Sequence, residues 1–108
     1  MSLDRLSEFD ATPEEGEVID EELAVTDDVL VKAFALGPDA SIDPHEHDGA
    51  TNVFHVVRGE VTVQQDDTEE VVAAPGVVLN ERGQAHGAHN HADEVAVLTA
   101  SLCPLPGQ

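Results

Sequence analysis

Short valine-rich segments bounded by glycine, proline or aspartate recur along most of this chain, and they restrict its fold more than any other feature. Valine is β-branched, and its restricted χ1 angle favours strands over helices. No amphipathic helical segment of useful length lies between these runs. Regularly spaced short strands predict an all-β fold, an antiparallel sandwich or barrel. The predicted strands are residues 18–25, 29–36, 42–47, 52–57, 60–65, 69–74, 77–79, 85–90 and 94–102.

The length of the chain sets its domain organisation. With 108 residues, of which 41% are hydrophobic, it can bury one core but not two. Eleven of the 23 acidic residues fall in the first 28 positions, before the dense strand pattern. We therefore expect an acidic N-terminal arm at residues 1–15, a barrel at residues 16–104 and a C-terminal tail at residues 105–108. The arm could form one short helical turn or lie extended on the body.

The charge balance is extreme, because 23 acidic residues oppose only four cations and the formal net charge is −19. No basic cluster could neutralise phosphates, so we expect no nucleic-acid partner. An anionic membrane surface would be repelled as well. The acid-rich, lysine-poor composition resembles cytosolic proteins of salt-accumulating archaea, since concentrated salt screens self-repulsion. We therefore expect a halophilic archaeal origin; the valine pattern argues against the alternative, a disordered acidic chain.

Targeting features are not found in the sequence. Cys103 is the only cysteine, so no intrachain disulfide can form, and we expect it to be a small buried residue near the last strand. The N-terminal segment lacks the basic and apolar regions of a signal peptide. No apolar run approaches the length needed to cross a bilayer. We expect a soluble, cytoplasmic protein.

Three histidines are the strongest indication of chemistry. His45 and His47 are one residue apart, so on a strand both imidazoles would lie on the same face. His86 follows in a second glycine-marked segment and could complete a three-nitrogen pocket for a divalent transition metal. The same alternation predicts that the remaining histidines face outward: His55, His89 and His91.

These two segments resemble the two sequence motifs of the cupins, and the resemblance covers about residues 18–103. The first motif is carried by Gly37, His45, Glu46, His47, Asn52 and Gly59, and the second by Gly76, Gly83, Gln84, Ala85, His86, Gly87, Ala88, His89 and Asn90. Three positions depart from the family pattern. Asn52 stands where the family has glutamate, Glu81 replaces the usual proline, and Gly37 comes two residues earlier than usual.

The resemblance implies an all-β, double-stranded β-helix (jelly-roll) cupin barrel of antiparallel strands. It also implies a divalent transition metal (Fe, Mn, Ni, Zn or Cu) held by His45, His47 and His86, with Asn52 as a weak or water-mediated fourth contributor. A small-molecule ligand or substrate is implied inside the barrel, and small single-domain members are commonly homodimers.

The replacement of glutamate by Asn52 leaves three outcomes open, because an amide oxygen is neutral and a weaker ligand than a carboxylate. Asn52 could coordinate the metal through its carbonyl oxygen. It could hydrogen-bond a metal-bound water, leaving a three-histidine site with open positions. The third outcome is that the metal site is lost.

Two main functions follow from the resemblance. A metal-dependent dioxygenase acting on a small organic substrate is one, because some cupin dioxygenases hold iron with histidines alone. The alternative is a non-catalytic cupin module that binds a small metabolite, and a metal-free structural protein is a third possibility. No second residue stands out as a general base, so we assign no catalytic residue and leave open whether the protein is an enzyme.

Overall fold

A computed structural model describes residues 3–104, and this part of the chain forms strands and no helix. The predicted tail at residues 105–108 and the first two residues of the arm lie outside the described residues. Each of the predicted strands is present. The strands are β1 (Val18–Val25), β2 (Leu30–Leu36), β3 (Ser41–His45), β4 (Thr51–Arg58), β5 (Glu60–Gln65), β6 (Thr68–Ala73), β7 (Gly76–Asn80), β8 (His86–His89) and β9 (Ala96–Cys103).

The strands form two antiparallel sheets, so the all-β antiparallel prediction is confirmed. One sheet has the order β1-β2-β9-β4-β7 and the other the order β3-β8-β5-β6. Several spatial neighbours are distant in sequence, as where β2 pairs with β9 along its whole length. Two sheets in which strands distant in sequence lie side by side are characteristic of a jelly roll.

The hydrophobic core lies between the sheets and is mostly aliphatic, as the scarcity of aromatic residues requires. Phe54 on β4 is the largest fully buried side chain. Burying a side chain of this class contributes about 1.5–3 kcal/mol. The buried cluster draws on both sheets and comprises Leu36, Ala40, Phe54, Val56, Val61, Val63, Ala88, Ala96, Leu98 and Ala100.

Strand β3 ends at His45, two residues before the predicted boundary. Its pairing with β8 is irregular between Ile42 and His45. Pro44 lies in this interval, and a proline has no N–H to donate to a sheet ladder. The strands nevertheless approach closely here, because a Cβ on Gly87 of β8 would lie 2.7 Å from the carbonyl oxygen of Ile42. Only glycine therefore fits at position 87, next to the paired residues His45 and His86.

Residues 3–17 form no helix, and the segment just before β1 lies against Gly37 and Pro38. The Gly16 N–H donates to the Pro38 carbonyl oxygen at 2.7 Å, and the Gly37 N–H donates to the Glu17 carbonyl oxygen at 2.9 Å. A Cβ at Gly37 would collide with the Glu14 backbone. The need for a glycine at position 37 therefore comes from the arm that covers it.

The end of β9 corrects one expectation. Cys103 is exposed rather than buried. It pairs with Thr51 in the last position of the ladder between β9 and β4, at the end of the sheet. Among the described residues, no helix is long and apolar enough to span a membrane.

Candidate metal centre

The structure brings His45, His47 and His86 together. His45, the last residue of β3, pairs across the ladder with His86, the first residue of β8. His47 lies two residues beyond β3 in the following loop, and its carbonyl oxygen accepts a hydrogen bond of 3.0 Å from the Gly83 N–H. One potential ligand atom from each histidine lies within 4.8 Å of the other two. Backbone pairing and this hydrogen bond therefore hold the two motif segments together at the histidine cluster.

Backbone carbonyl groups determine which nitrogen carries the hydrogen in two of these rings. The Nδ1 atom of His45 lies 2.9 Å from the Asp43 carbonyl oxygen, and the Nδ1 atom of His86 lies 3.0 Å from the Gln84 carbonyl oxygen. A carbonyl oxygen can only accept, so each Nδ1 must carry the hydrogen. The Nε2 lone pair is then free to bind a metal, and the hydrogen bond holds the ring in place.

The Nε2 atom of His86 is buried and has no hydrogen-bond partner in the described part of the chain. Only 1% of the His86 surface is exposed, so water does not readily compensate. Leaving such an atom without a partner costs about 1–3 kcal/mol. A metal ion bound by the three rings would satisfy this atom. The residues present therefore fit a divalent transition metal with nitrogen ligands.

Burial favours the neutral, metal-binding form of two of the three histidines, His47 and His86. Burial lowers the pKa of His86 below its usual 6.5; the Gln84 carbonyl partly opposes this change, and the two neighbouring histidines reinforce it. Burial also lowers the pKa of His47, and its proximity to His45 adds to the effect. Since only the neutral imidazole binds a metal, both changes favour metal binding near neutral pH.

A cavity of about 230 Å³ adjoins the histidines and could hold a small organic molecule. Its wall is mostly apolar, with one ammonium group and one amide. Among residues 3–104, no carboxylate side chain contributes to this wall. The lining residues are Leu30, Lys32, Phe34, Ile42, His45, His47, Asn52, Phe54, Ala100 and Leu102.

Asn52 belongs to the wall of the same cavity, on β4. It is 2% exposed, and its Oδ1 accepts a hydrogen bond of 3.0 Å from the Nδ2 of Asn80. Asn80 is fully buried at the end of β7, and its Oδ1 accepts a hydrogen bond of 2.9 Å from Gln65. The structure therefore places Asn52 in a network of amides that sequence reasoning did not find.

The other histidines do not join the cluster. His55 and His91 are exposed, and His89 is half-buried. The Nε2 of His89 lies 3.0 Å from the Oδ1 of Asp39, and the His89 ring contacts that of His91 with a centroid separation of 4.0 Å. These contacts give His89 and His91 partners away from the cavity.

Two features of the site were missed at the sequence level. Lys32 interrupts the apolar run of β2, and this single charge was a usable signal. It lies 2.7 Å from Asp20 and packs over the Phe34 ring at the cavity wall. Asn80 gave a weaker signal as a lone amide ending an apolar strand. Its role depends on the pairing Asn52–Asn80 between β4 and β7, which the sequence does not specify.

Solved structures of low sequence identity share the fold. The TT1209 protein from Thermus thermophilus has a TM-score of 0.88 and 24% identity, over 98% of this chain and 100% of that chain. A double-stranded β-helix domain protein from Klebsiella pneumoniae has a TM-score of 0.81 and 24% identity, over 90% and 85%. An RmlC-like cupin from Shewanella frigidimarina has a TM-score of 0.76 and 21% identity, over 85% and 80%. At these identities the similarity shows the jelly-roll fold alone.

Comparison of the sequence itself, rather than of the fold, assigns the chain to a family. No curated protein matches the chain significantly. A family model described as the cupin domain matches residues 33–102, which include both histidine segments. Because this match covers more than half of the 108 residues, the chain belongs to the cupin family.

Proposed function

We propose that this cupin holds a divalent transition metal through His45, His47 and His86, and binds a small organic molecule in the adjoining cavity. The observation that carries the proposal is the convergence of three imidazoles, one nitrogen of each lying within 4.8 Å of the others. The buried, unpartnered Nε2 of His86 supports it, because the described part of the protein supplies no hydrogen-bond partner of its own for this atom.

The residues of the site would divide the work. The carbonyl groups of Asp43 and Gln84 hold the rings of His45 and His86 in place. The Nε2 lone pairs of these two rings therefore need no reorientation before a metal binds. The apolar wall limits water beside the histidines and accepts the hydrocarbon part of a ligand. A bound divalent ion supplies Lewis-acid polarisation of a ligand oxygen or, if it is redox-active iron, activation of dioxygen.

A metal-dependent dioxygenase acting on a small organic substrate is the second candidate. It is favoured by the nitrogen-only donor set beside a small, mainly apolar cavity. It is also consistent with the lack of a carboxylate in the cavity wall, which disfavours reactions that need a carboxylate base. The competing outcome is a module that binds its ligand without turnover.

Metal content tests the first proposal. Protein purified at high salt and loaded with Zn²⁺ should retain one ion per chain, and His86→Ala should weaken metal binding by more than about 100-fold because it removes one of three ligands. His55→Ala is the matched control, since His55 is exposed on β4. Circular dichroism checks that both variants fold. Equal metal affinity in all three proteins would rule out this ligand set.

Oxygen consumption tests the second proposal. The iron-loaded protein is mixed with candidate diketones, thiols or catechols, and dioxygen uptake is followed with an electrode. Uptake that requires both the substrate and His86 supports the dioxygenase. Saturable binding of the same compounds without uptake supports the non-catalytic module instead.

A further inference from the structure

Three side-chain amides form a chain that leads from the four-stranded sheet to the cavity. The Nε2 of Gln65, on β5, donates to the Oδ1 of Asn80 at 2.9 Å. The Nδ2 of Asn80, on β7, donates to the Oδ1 of Asn52 at 3.0 Å. Asn80, at the centre of the chain, is fully buried, so water is not available to it as a substitute partner. We call Gln65, Asn80 and Asn52 the amide chain.

A backbone carbonyl fixes the direction of the amide chain. The Nε2 of Gln65 also donates to the carbonyl oxygen of Leu79 at 2.8 Å. That oxygen can only accept, so the Gln65 atom facing it must be nitrogen. The Asn80 atom that meets the same NH₂ group must then be oxygen, since two facing donors would repel. The amide orientation of Asn80 is therefore determined by a group outside it.

The same reasoning passes to Asn52. With its oxygen toward Gln65, Asn80 presents its NH₂ group to Asn52 and requires an acceptor there. The Oδ1 of Asn52 therefore faces Asn80 and uses one of its two lone pairs there, so the Nδ2 is the end of the amide that is turned away from Asn80. Among the described residues no acceptor bonds this Nδ2, and it is not sealed from solvent. Since Asn52 lines the cavity, these N–H groups are the part of its side chain left to meet a ligand there.

We propose that Asn52 is a hydrogen-bond donor to the bound ligand, not an oxygen ligand of the metal, and that the ligand is a small carboxylate with an apolar body. This inference rests on the proposed metal site. Three neutral imidazoles leave the charge of a divalent ion uncompensated, and an N–H donor beside it favours an anionic oxygen. Lys32 also lines the cavity, but its ammonium group is paired with Asp20, so the charge that attracts an anion comes from the metal ion. Carboxylates suit this set of groups, and the aliphatic wall suits their hydrocarbon part.

The test uses propionate and Zn²⁺-loaded protein, with calorimetry as the measure of binding. Asn52→Asp keeps an acceptor for Asn80 but has no donor, so propionate affinity should fall by at least about tenfold. Asn80→Asp should have the same effect without changing Asn52. An aspartate at position 80 can only accept, so Asn52 must turn its NH₂ group toward it and expose its oxygen to the cavity.

Gln64→Glu is the matched charge control, because it adds one negative charge on β5 outside the amide chain. It should leave propionate affinity within about twofold of the wild type, since Gln64 is only partly buried, does not line the cavity and is bonded to Glu69 rather than to the amide chain. The side-chain ¹⁵N–¹H signals of Asn52 should shift when propionate is added. Metal content and melting temperature are measured for every variant.

The outcomes separate the two proposals. Wild-type protein that retains no Zn²⁺ contradicts the metal site itself. Wild-type protein that retains Zn²⁺ and does not bind propionate overturns the carboxylate proposal. Metal-loaded Asn52→Asp or Asn80→Asp protein with unchanged propionate affinity overturns the donor role of Asn52. Equal losses in all variants, including Gln64→Glu, would show a general charge effect and also overturn that role.

Discussion

At the residue scale, the site depends on three converging imidazoles and on one amide whose orientation is imposed from outside. His45 and His86 are oriented by carbonyl oxygens, and Asn52 by Asn80. The sequence suggested all three histidines, because one residue between His45 and His47 implies a shared face on a strand and His86 follows in a second glycine-marked segment. The orientation of Asn52 could not be predicted, because it depends on a backbone carbonyl brought close only by folding.

Placing glutamate at position 52 should strengthen metal binding. The NH₂ group of Asn80 already points toward this side chain, so it would donate equally well to a carboxylate. A carboxylate contributes charge and a firm metal–oxygen bond, and Asn52→Glu should lower the dissociation constant for Zn²⁺ by about tenfold or more. Competition with a chromophoric chelator measures the change. Weaker binding would show that the site lacks room for an oxygen ligand.

The metal-free protein should become less stable as the pH falls through 6.5. Burial lowers the pKa of His47 and His86 in the folded chain, whereas unfolded histidine keeps the ordinary value of 6.5. Below that pH the unfolded chain binds more protons than the folded chain, so this contribution to the free energy of unfolding decreases as pH falls. At high pH it is fully present.

His86→Gln isolates this effect from the many carboxylates that also titrate. Urea unfolding is measured at pH 8 and pH 5.5 for the wild type and the variant, both free of metal. Between pH 8 and pH 5.5, the free energy of unfolding should fall by more in the wild type than in His86→Gln. An equal fall in both proteins would contradict the prediction.

At the element scale, the positions of all strands were predictable, but the irregularity that shapes the site was not. Alternating valines and turn residues located each strand within a few residues. Pro44 lies where the ladder between β3 and β8 is irregular, and β3 ends at His45 after the pairing resumes with His86. His47 therefore reaches the cluster from a loop, and the simple two-residue strand period does not explain its position. Tertiary pairing, rather than local pattern, decides such details.

The close approach of β3 and β8 gives a prediction at this scale. A Cβ added to Gly87 would lie 2.7 Å from the Ile42 carbonyl oxygen and 3.0 Å from the Pro44 nitrogen. Both contacts are backbone atoms that cannot move aside without shifting β3, which carries His45. Gly87→Ala should therefore weaken Zn²⁺ binding by about tenfold or more, since ligand positions tolerate little displacement.

Gly49→Ala is the control for this substitution. Nothing lies within 4 Å of a Cβ at Gly49, and its backbone has no positive φ. Its Zn²⁺ affinity should match the wild type, as measured by chelator competition on both variants. If Gly87→Ala also bound Zn²⁺ as tightly as the wild type, the close contact between β3 and β8 would not be needed to position His45, and the prediction would be wrong.

At the scale of the whole molecule, a compact barrel carries a net charge of −19 and few compensating ion pairs. In the described residues one lysine–carboxylate pair is present, Lys32 with Asp20 at 2.7 Å. Like charges crowded on a small surface repel, and this repulsion destabilises the folded state. Composition alone made this property visible, because net charge does not depend on the arrangement of the strands.

Salt should therefore raise the melting temperature of this protein. The screening length falls from about 10 Å at 0.1 M salt to about 3 Å at 1 M, so repulsion between neighbouring carboxylates largely disappears. We expect the melting temperature, followed by circular dichroism, to rise between 0.1 M and 2 M KCl. Replacing the exposed Glu21 and Glu22 of β1 with glutamine removes two charges from one strand and should reduce this rise. A melting temperature that does not respond to KCl would remove the physical basis for proposing a halophilic origin, because the acidic surface would then confer no dependence on salt.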